Sequence, residues 1–248
     1  MNKFWIVCLF VLLAGCASGG GKQGVEQKLA VAKIHTELAA AYFQRAQYAV
    51  ALQEIDTALQ ADSQYAPAFN VRGLVRMALR EDARAEADFR YSLQLDPRNS
   101  ETHNNYGWFM CQRGREREAI GHFNEALKNP LYETPEKSNV NAGVCAKRLG
   151  EIKEADDYFQ RALMLKPNQP EALIALAELS FDNEDYAKAK QYFLRYLQQV
   201  TELTAANLYL AVNIEKKLGD RDAEQSFALQ LRKRFPASRE AQQLSSGE

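Results

Sequence analysis

Four cysteines and three histidines carry most of the side-chain chemistry available to this 248-residue chain. Thiolates attack electrophiles, pair as disulfides or bind soft metals, and imidazoles bind metals or move protons. The histidines, His35, His103 and His122, show none of the spacings that build a metal site. There is no H-E-x-x-H, G-x-S-x-G, Walker loop or C-x-x-C. His103 and His122 fall on helix faces, where they read as packed or solvated side chains. Gly19-Gly20-Gly21 has no strand before it, so it is not a nucleotide loop. Asp156-Asp157 and Glu184-Asp185 stand beside helix turns and read as solvated surface or caps. No catalytic residue, metal ligand or cofactor is assigned, and the chain reads as a non-enzyme with no small-molecule substrate.

The cysteines separate by position. Lys3 precedes an apolar run of ten, Phe4 to Leu13. That is half of the roughly 20 residues a membrane-spanning helix needs, so residues 1–15 read as a secretory signal. Leu13-Ala14-Gly15-Cys16 then resembles the lipobox of bacterial lipoproteins. The resemblance implies thioether lipidation of Cys16, cleavage before it and acylation of the new amine. One acyl chain binds a membrane only marginally, whereas several together anchor it durably. Ala17 stands where lipoproteins kept at the inner membrane carry Asp, so the resemblance implies the periplasmic face of the outer membrane. The rival reading is a plain secretory peptide with an accidental Cys16. Ala17 to Gly24, with four Gly among eight residues, reads as a flexible tether.

Bulk composition narrows the class. Lys and Arg number 31 against 32 Asp and Glu, which leaves a net charge of −1 and no basic excess for nucleic acid. Apolar residues at 46% and charged residues at 25% are ordinary globular usage. Only 13 Gly and 7 Pro interrupt the chain, which favours helices over many short strands.

Those helices repeat. Ala recurs at Ala51, Ala85, Ala119, Ala155 and Ala189, with steps of 34, 34, 36 and 34. Ile55, Phe89, Phe123, Phe159 and Phe193 follow each Ala by four residues, and Leu59, Leu93, Leu127, Leu163 and Leu197 by eight. Gly73, Gly107 and Gly143 each precede their Ala by twelve. This is the 34-residue tetratricopeptide pattern, an antiparallel helix pair per unit. The predicted fold is all-α, a tetratricopeptide superhelix (α-solenoid) of about six helix pairs. Small residues let the paired backbones approach where Gly107 meets Ala119 or Ala126. Tyr106, Phe123 and Leu127 are expected to fill the space toward the neighbouring unit. The chain divides into a signal peptide (1–15), a lipidated cysteine with tether and the start of the first helix (16–31), six repeats (32–65, 66–99, 100–133, 136–169, 170–203 and 204–238) and a tail (239–248).

In the first helix of each unit, positions 2, 5, 9 and 12 share one face, because spacings of three and four are helical. In tetratricopeptide proteins that face lines the concave groove. Here it carries Phe43, Asn70, Leu74, Met77, Asn104, Trp108, Val140 and Val144, with Cys111, Lys147, Ile174, Glu178 and Phe181 continuing it. An apolar groove suits an amphipathic helix or extended apolar peptide; the alternative is that several of these side chains pack against adjacent helices. Position 5 is never Lys, so the clamp that holds a C-terminal carboxylate is missing.

With Cys8 removed and Cys16 acylated, Cys111 and Cys145 remain in an oxidising compartment, an even pair. They fall at positions 12 and 10 of consecutive units, on first helices packed side by side. A bridge between them closes a loop of about 35 residues and contributes roughly 3–4 kcal/mol on the loop-entropy account. The other reading is two buried thiols used as small apolar residues.

Several local runs are more specific than the repeat itself: Asn104-Asn105-Tyr106-Gly107-Trp108-Phe109, Asn141-Ala142-Gly143, Pro167-Asn168-Gln169-Pro170 and Leu229-Gln230-Leu231-Arg232-Lys233-Arg234-Phe235-Pro236. With the lipoprotein signal and six repeats, these resemble the type IV pilus biogenesis and stability lipoproteins, the pilotins of PilF/PilW type, over essentially the whole chain. The resemblance implies a protein that binds the secretin, the ring through which the pilus leaves, and promotes its outer-membrane localisation and multimerisation. The expected contacts are Phe43, Leu74, Met77 and Trp108, with Asn70 and Asn104 meeting backbone groups of the partner. The alternative is a lipoprotein adaptor that scaffolds peptidoglycan hydrolases or outer-membrane protein assembly.

Overall fold

The structure, a computed structural model, describes residues 20–246 and places thirteen α-helices and no strand among them. The expected signal peptide and the Cys16 acylation site lie outside the described residues. Two compact units divide the chain, one up to Tyr106 and one from Gly107 onward. The first unit pairs α1 (Gly20–Gln44) with α2 (Tyr48–Ala61) and α3 (Ala66–Ala78) with α4 (Asp82–Leu95), and takes in most of α5 (Ser100–Cys111). The second holds the end of α5, then α6 (Glu116–Leu127) and the pairs α7 (Pro135–Arg148)/α8 (Ile152–Leu165), α9 (Pro170–Asp182)/α10 (Tyr186–Leu197) and α11 (Ala205–Leu218)/α12 (Arg221–Arg234), followed by α13 (Arg239–Ser246). The architecture is a tetratricopeptide α-solenoid.

Helix starts follow local chemistry. Pro67, Pro135 and Pro170 occupy the first turns of α3, α7 and α9, where their missing N–H costs nothing and their fixed φ is already helical. Thr204 and Asn207 form a reciprocal capping box at α11, and the Asp185 and Asp220 carboxylates accept from the Lys188 and Ala223 N–H groups at 3.1 Å. The turn inside each pair is just as regular. The turn carries a positive φ in all six repeats, at position 15 in the first five (Ala46, Arg80, Gly114, Gly150 and Glu184) and at position 16 in the sixth (Gly219), between 56° and 78°. Three repeats use the residue that adopts this conformation freely, and three hold an L side chain in it at a cost of about 1 kcal/mol.

The pair is closed by one recurring contact. A Cβ added to Gly73, Gly107 or Gly143 would stand 2.7–2.8 Å from the ring of Phe89, Phe123 or Phe159, sixteen residues later. Those rings are fully buried. Phe123 therefore lies on Gly107 inside its own repeat. Glycine on the first helix is the space into which the aromatic of the second fits. Tyr106 does face the preceding repeat: its ring stacks on Phe89 at 5.7 Å and its hydroxyl donates to Glu86 at 2.9 Å.

Two boundaries differ from the sequence expectation. Residues 20–24, assigned to the tether, are helical. Once the buried Ala32, Thr36 and Ala39 hold α1 in place, extending it residue by residue is far cheaper than nucleating it anew. The tail also contains α13. The Ser238 hydroxyl accepts from the Ala241 N–H at 3.1 Å to start it, and Ala241 is buried with Leu208 and Leu231, beside the partly buried Leu244.

Candidate protein-binding faces

Positions 5, 9 and 12 of the first helices fall at different depths. In the first unit, position 5 is a floor: Thr36, Asn70 and Asn104 are 4–6% exposed. The Asn105 amide donates to the Asn70 side-chain oxygen at 3.2 Å, linking α5 to α3, and the Asn104 amide donates to the Asn105 oxygen at 3.4 Å. The two asparagines expected to meet a partner's backbone are thus sunk beneath the surface and bonded within the protein. Above them, Leu74 and Met77 are half-buried, and so is Phe43, whose ring meets Tyr48 at 6.0 Å over the cluster of Ala39, Ile55 and Val75.

Beside this face, α3 and α4 are fastened by charge. Asp88, nearly buried, accepts from the Arg72 and Arg76 guanidinium groups at 2.8 and 2.7 Å. A buried carboxylate with two guanidinium partners is satisfied on both oxygens, the condition for tolerating it inside. The guanidinium of Arg72 also covers the Phe69 ring at 4.8 Å. The spacing reading missed this cluster; Arg72 and Arg76, one turn apart in the mostly apolar α3, were its only signal.

In the second unit, Val140 is buried in the main apolar cluster and Val144 packs on that cluster half-exposed. Trp108, Ile174 and Phe181 are also half-buried. Position 9 is therefore the open rung of both faces: Leu74, Trp108 and Val144 are apolar and partly solvated there. Toward the C-terminal side the face turns polar, since Lys147 donates to Glu178 at 2.7 Å between α7 and α9. Cys111 and Cys145 are joined as a disulfide with Cα atoms 6.0 Å apart, both fully buried, and Arg148 donates to the Cys111 carbonyl at 2.9 Å. Cys111 is consequently part of the α5–α7 seam and not of an open surface. His103 bonds through Nε2 to the Pro97 carbonyl oxygen at 3.1 Å, a packing role. No group of three His, Cys, Asp or Glu able to hold a metal occurs among the described residues.

These faces offer apolar contact and hydrogen bonding, the equipment of a binding scaffold. The tetratricopeptide-repeat family profile matches residues 136–169, the fourth repeat. Along 97% of its length the chain is 29% identical to the type IV pilus assembly protein PilF of Pseudomonas aeruginosa, covering 96% of it. A solved structure of PilF superposes with a TM-score of 0.85 at 28% identity, over 90% of this chain and all of that one. The crystal structure of PilW, a widely conserved type IV pilus biogenesis factor, is 34% identical, with a TM-score of 0.77 over 86% of this chain and 98% of that one. The chain belongs to this family of type IV pilus biogenesis tetratricopeptide proteins. In this member of the PilF/PilW family, Leu74 is the open rung of the first unit's face, above a floor of bonded asparagines, and Trp108 and Val144 are the open rungs of the second unit's face.

Proposed function

We propose that this PilF/PilW-family protein acts as a pilotin: an outer-membrane lipoprotein, anchored through Cys16 on the periplasmic side, that binds the type IV pilus secretin and promotes its localisation and multimerisation. Similarity to PilF and PilW along nearly the whole chain supports a role in building the pilus. The observation that supports the binding role is that position 9 carries half-buried apolar side chains in each unit, since partly solvated Leu, Trp and Val gain from being covered by an apolar partner segment. Contact is expected through Leu74, Met77, Trp108 and Val144, with Phe43 at the edge. Asn70 and Asn104 support these residues from below. Lipid attachment would carry the bound secretin protomer to the membrane in which it assembles.

The test is Leu74→Glu and Trp108→Glu, separately and together, expressed in the native host. Heat-resistant secretin multimers should fall at least tenfold, with the helical circular-dichroism spectrum and melting profile kept. Normal multimers in the folded double variant would end the proposal.

A further inference from the structure

Helix α1 is far longer than the first helix of any other repeat, 25 residues against 12–14. Its apolar stripe also outruns its cover. Val25, Leu29, Ala32, Thr36, Ala39 and Phe43 recur at spacings of four and three and so share a face. From Ala32 onward that face is packed within the first unit: Ala32 and Ala39 are fully buried and Thr36 is 5% exposed. Before Ala32, Val25 is 67% exposed and Leu29 48%.

We infer that this projecting part of α1 lies against the lipid surface, Val25 and Leu29 entering the headgroup boundary and Lys28 and Lys33 flanking them. The inference rests on the acylated Cys16 of the proposed function. Cys16 precedes Gly20 by four residues, which reach at most about 14 Å. Val25 is five residues further along a helix that rises about 1.5 Å per residue. Any membrane holding the Cys16 acyl chains is therefore within about 22 Å of Val25. At about 100° per residue, Lys28 and Lys33 stand on opposite sides of the Val25–Leu29 stripe. Both are exposed. Residues 20–33 hold three lysines and one glutamate. Apolar side chains between lysines that reach to phosphates are how a helix lies in an anionic interface. The first unit would then be set at a defined angle to the membrane by α1, in place of hanging from a leash.

The experiment is hydrogen–deuterium exchange on the mature acylated chain in phosphatidylethanolamine/phosphatidylglycerol vesicles, beside Val25→Gln/Leu29→Gln, which keeps helix propensity while removing the apolar stripe. Amides of residues 24–31 should exchange at least tenfold more slowly in the parent than in the variant, with the second unit unchanged. Equal exchange in the two overturns the inference, and so does equal protection of the parent free of vesicles, which would mean protein covers the stripe. Intact mass reports acylation separately. A chain found without acyl groups refutes the anchor reading, and the exchange measurement is then made with Cys16 coupled to a maleimide lipid in the same vesicles. Slow exchange there still supports the inference, and fast exchange overturns it.

Discussion

Gly143→Ala sets two physical effects against each other, and their sizes decide the sign. On an isolated helix the substitution stabilises by about 1 kcal/mol, because alanine loses less backbone freedom than glycine. In α7 the new Cβ would stand 2.7, 2.9 and 2.9 Å from three atoms of the Phe159 ring, where carbon atoms settle at about 3.5–4.0 Å. The ring is fully buried, in the cluster that includes Ala155, Ala162, Leu163 and Leu176. Overpacking of this kind costs about 1–3 kcal/mol, and three short contacts on a rigid ring put it toward the upper end. The net expectation is a loss of about 1–2 kcal/mol in urea unfolding of the second unit. Phe159→Leu, which thins the ring, should cost about 1–3 kcal/mol alone by leaving a cavity, and the double variant should lose about 1–2 kcal/mol less than the sum of the singles. Repeat five already carries Ala177 where Gly143 stands, with Phe193 sixteen residues on, so Ala177→Gly should lose stability rather than gain it. A stabilised Gly143→Ala chain, or strict additivity with Phe159→Leu, would refute the argument that glycine is there for the ring.

Three further outcomes follow from the same geometry. The Cys111–Cys145 bridge spans a separation of 34 residues, so reduction, or Cys111→Ala with Cys145→Ala, should lower stability by about 3–4 kcal/mol in denaturant melts; non-reducing peptide mapping that finds two free thiols in the folded protein would remove the bridge. Glu184→Gly relieves a φ of 61° and should raise stability by about 0.5–1 kcal/mol by urea midpoint, with Arg80→Gly doing the same at 63°. For pH, the hydrogen bond to Glu215, with that to Asp220, holds the Lys190 ammonium above the ordinary lysine value of 10.5, so its stabilisation is complete below that value and lost as pH rises through the raised one. Asp220 is held below 3.8, first by the Ala223 N–H, so its stabilisation is present above that value and fades as pH falls further. The stability gap between parent and Lys190→Met should therefore close only in strong alkali, and that between parent and Asp220→Asn only in strong acid, both read by urea titration across pH.

The repeat was legible because it rests on side chains whose spacing is dictated by backbone geometry. The Ala–Phe–Leu ladder fixed the starts of α3, α5 and α9, and the fourth repeat occupies the residues 136–169 that the family profile matches. The direction in which Phe123 packs was not legible. A period states that an aromatic recurs, but that its ring lies on Gly107 is visible only in the fold. The extra length of α1 was obscured by Gly20, Gly21 and Gly24, which read as linker when weighed singly yet are carried along by a helix that is nucleated further on.

Depth on the binding faces was harder still, for a reason that bears on where a partner can touch. Positions 5 and 9 lie about 40° apart on one helix, so periodicity assigns both to the same stripe. What separates them is the neighbouring first helix: Asn105 of α5 bonds to Asn70 of α3 and closes over position 5, whereas position 9 stays half-open at Leu74. The same division holds in the second unit between Val140 and Val144. In the first unit, the Asn70–Asn105 bond holds α3 to α5 and leaves Leu74 partly solvated above it, which is where the proposed function places a partner. A polar substitution at Asn70 should therefore act through stability, and one at Leu74 through binding.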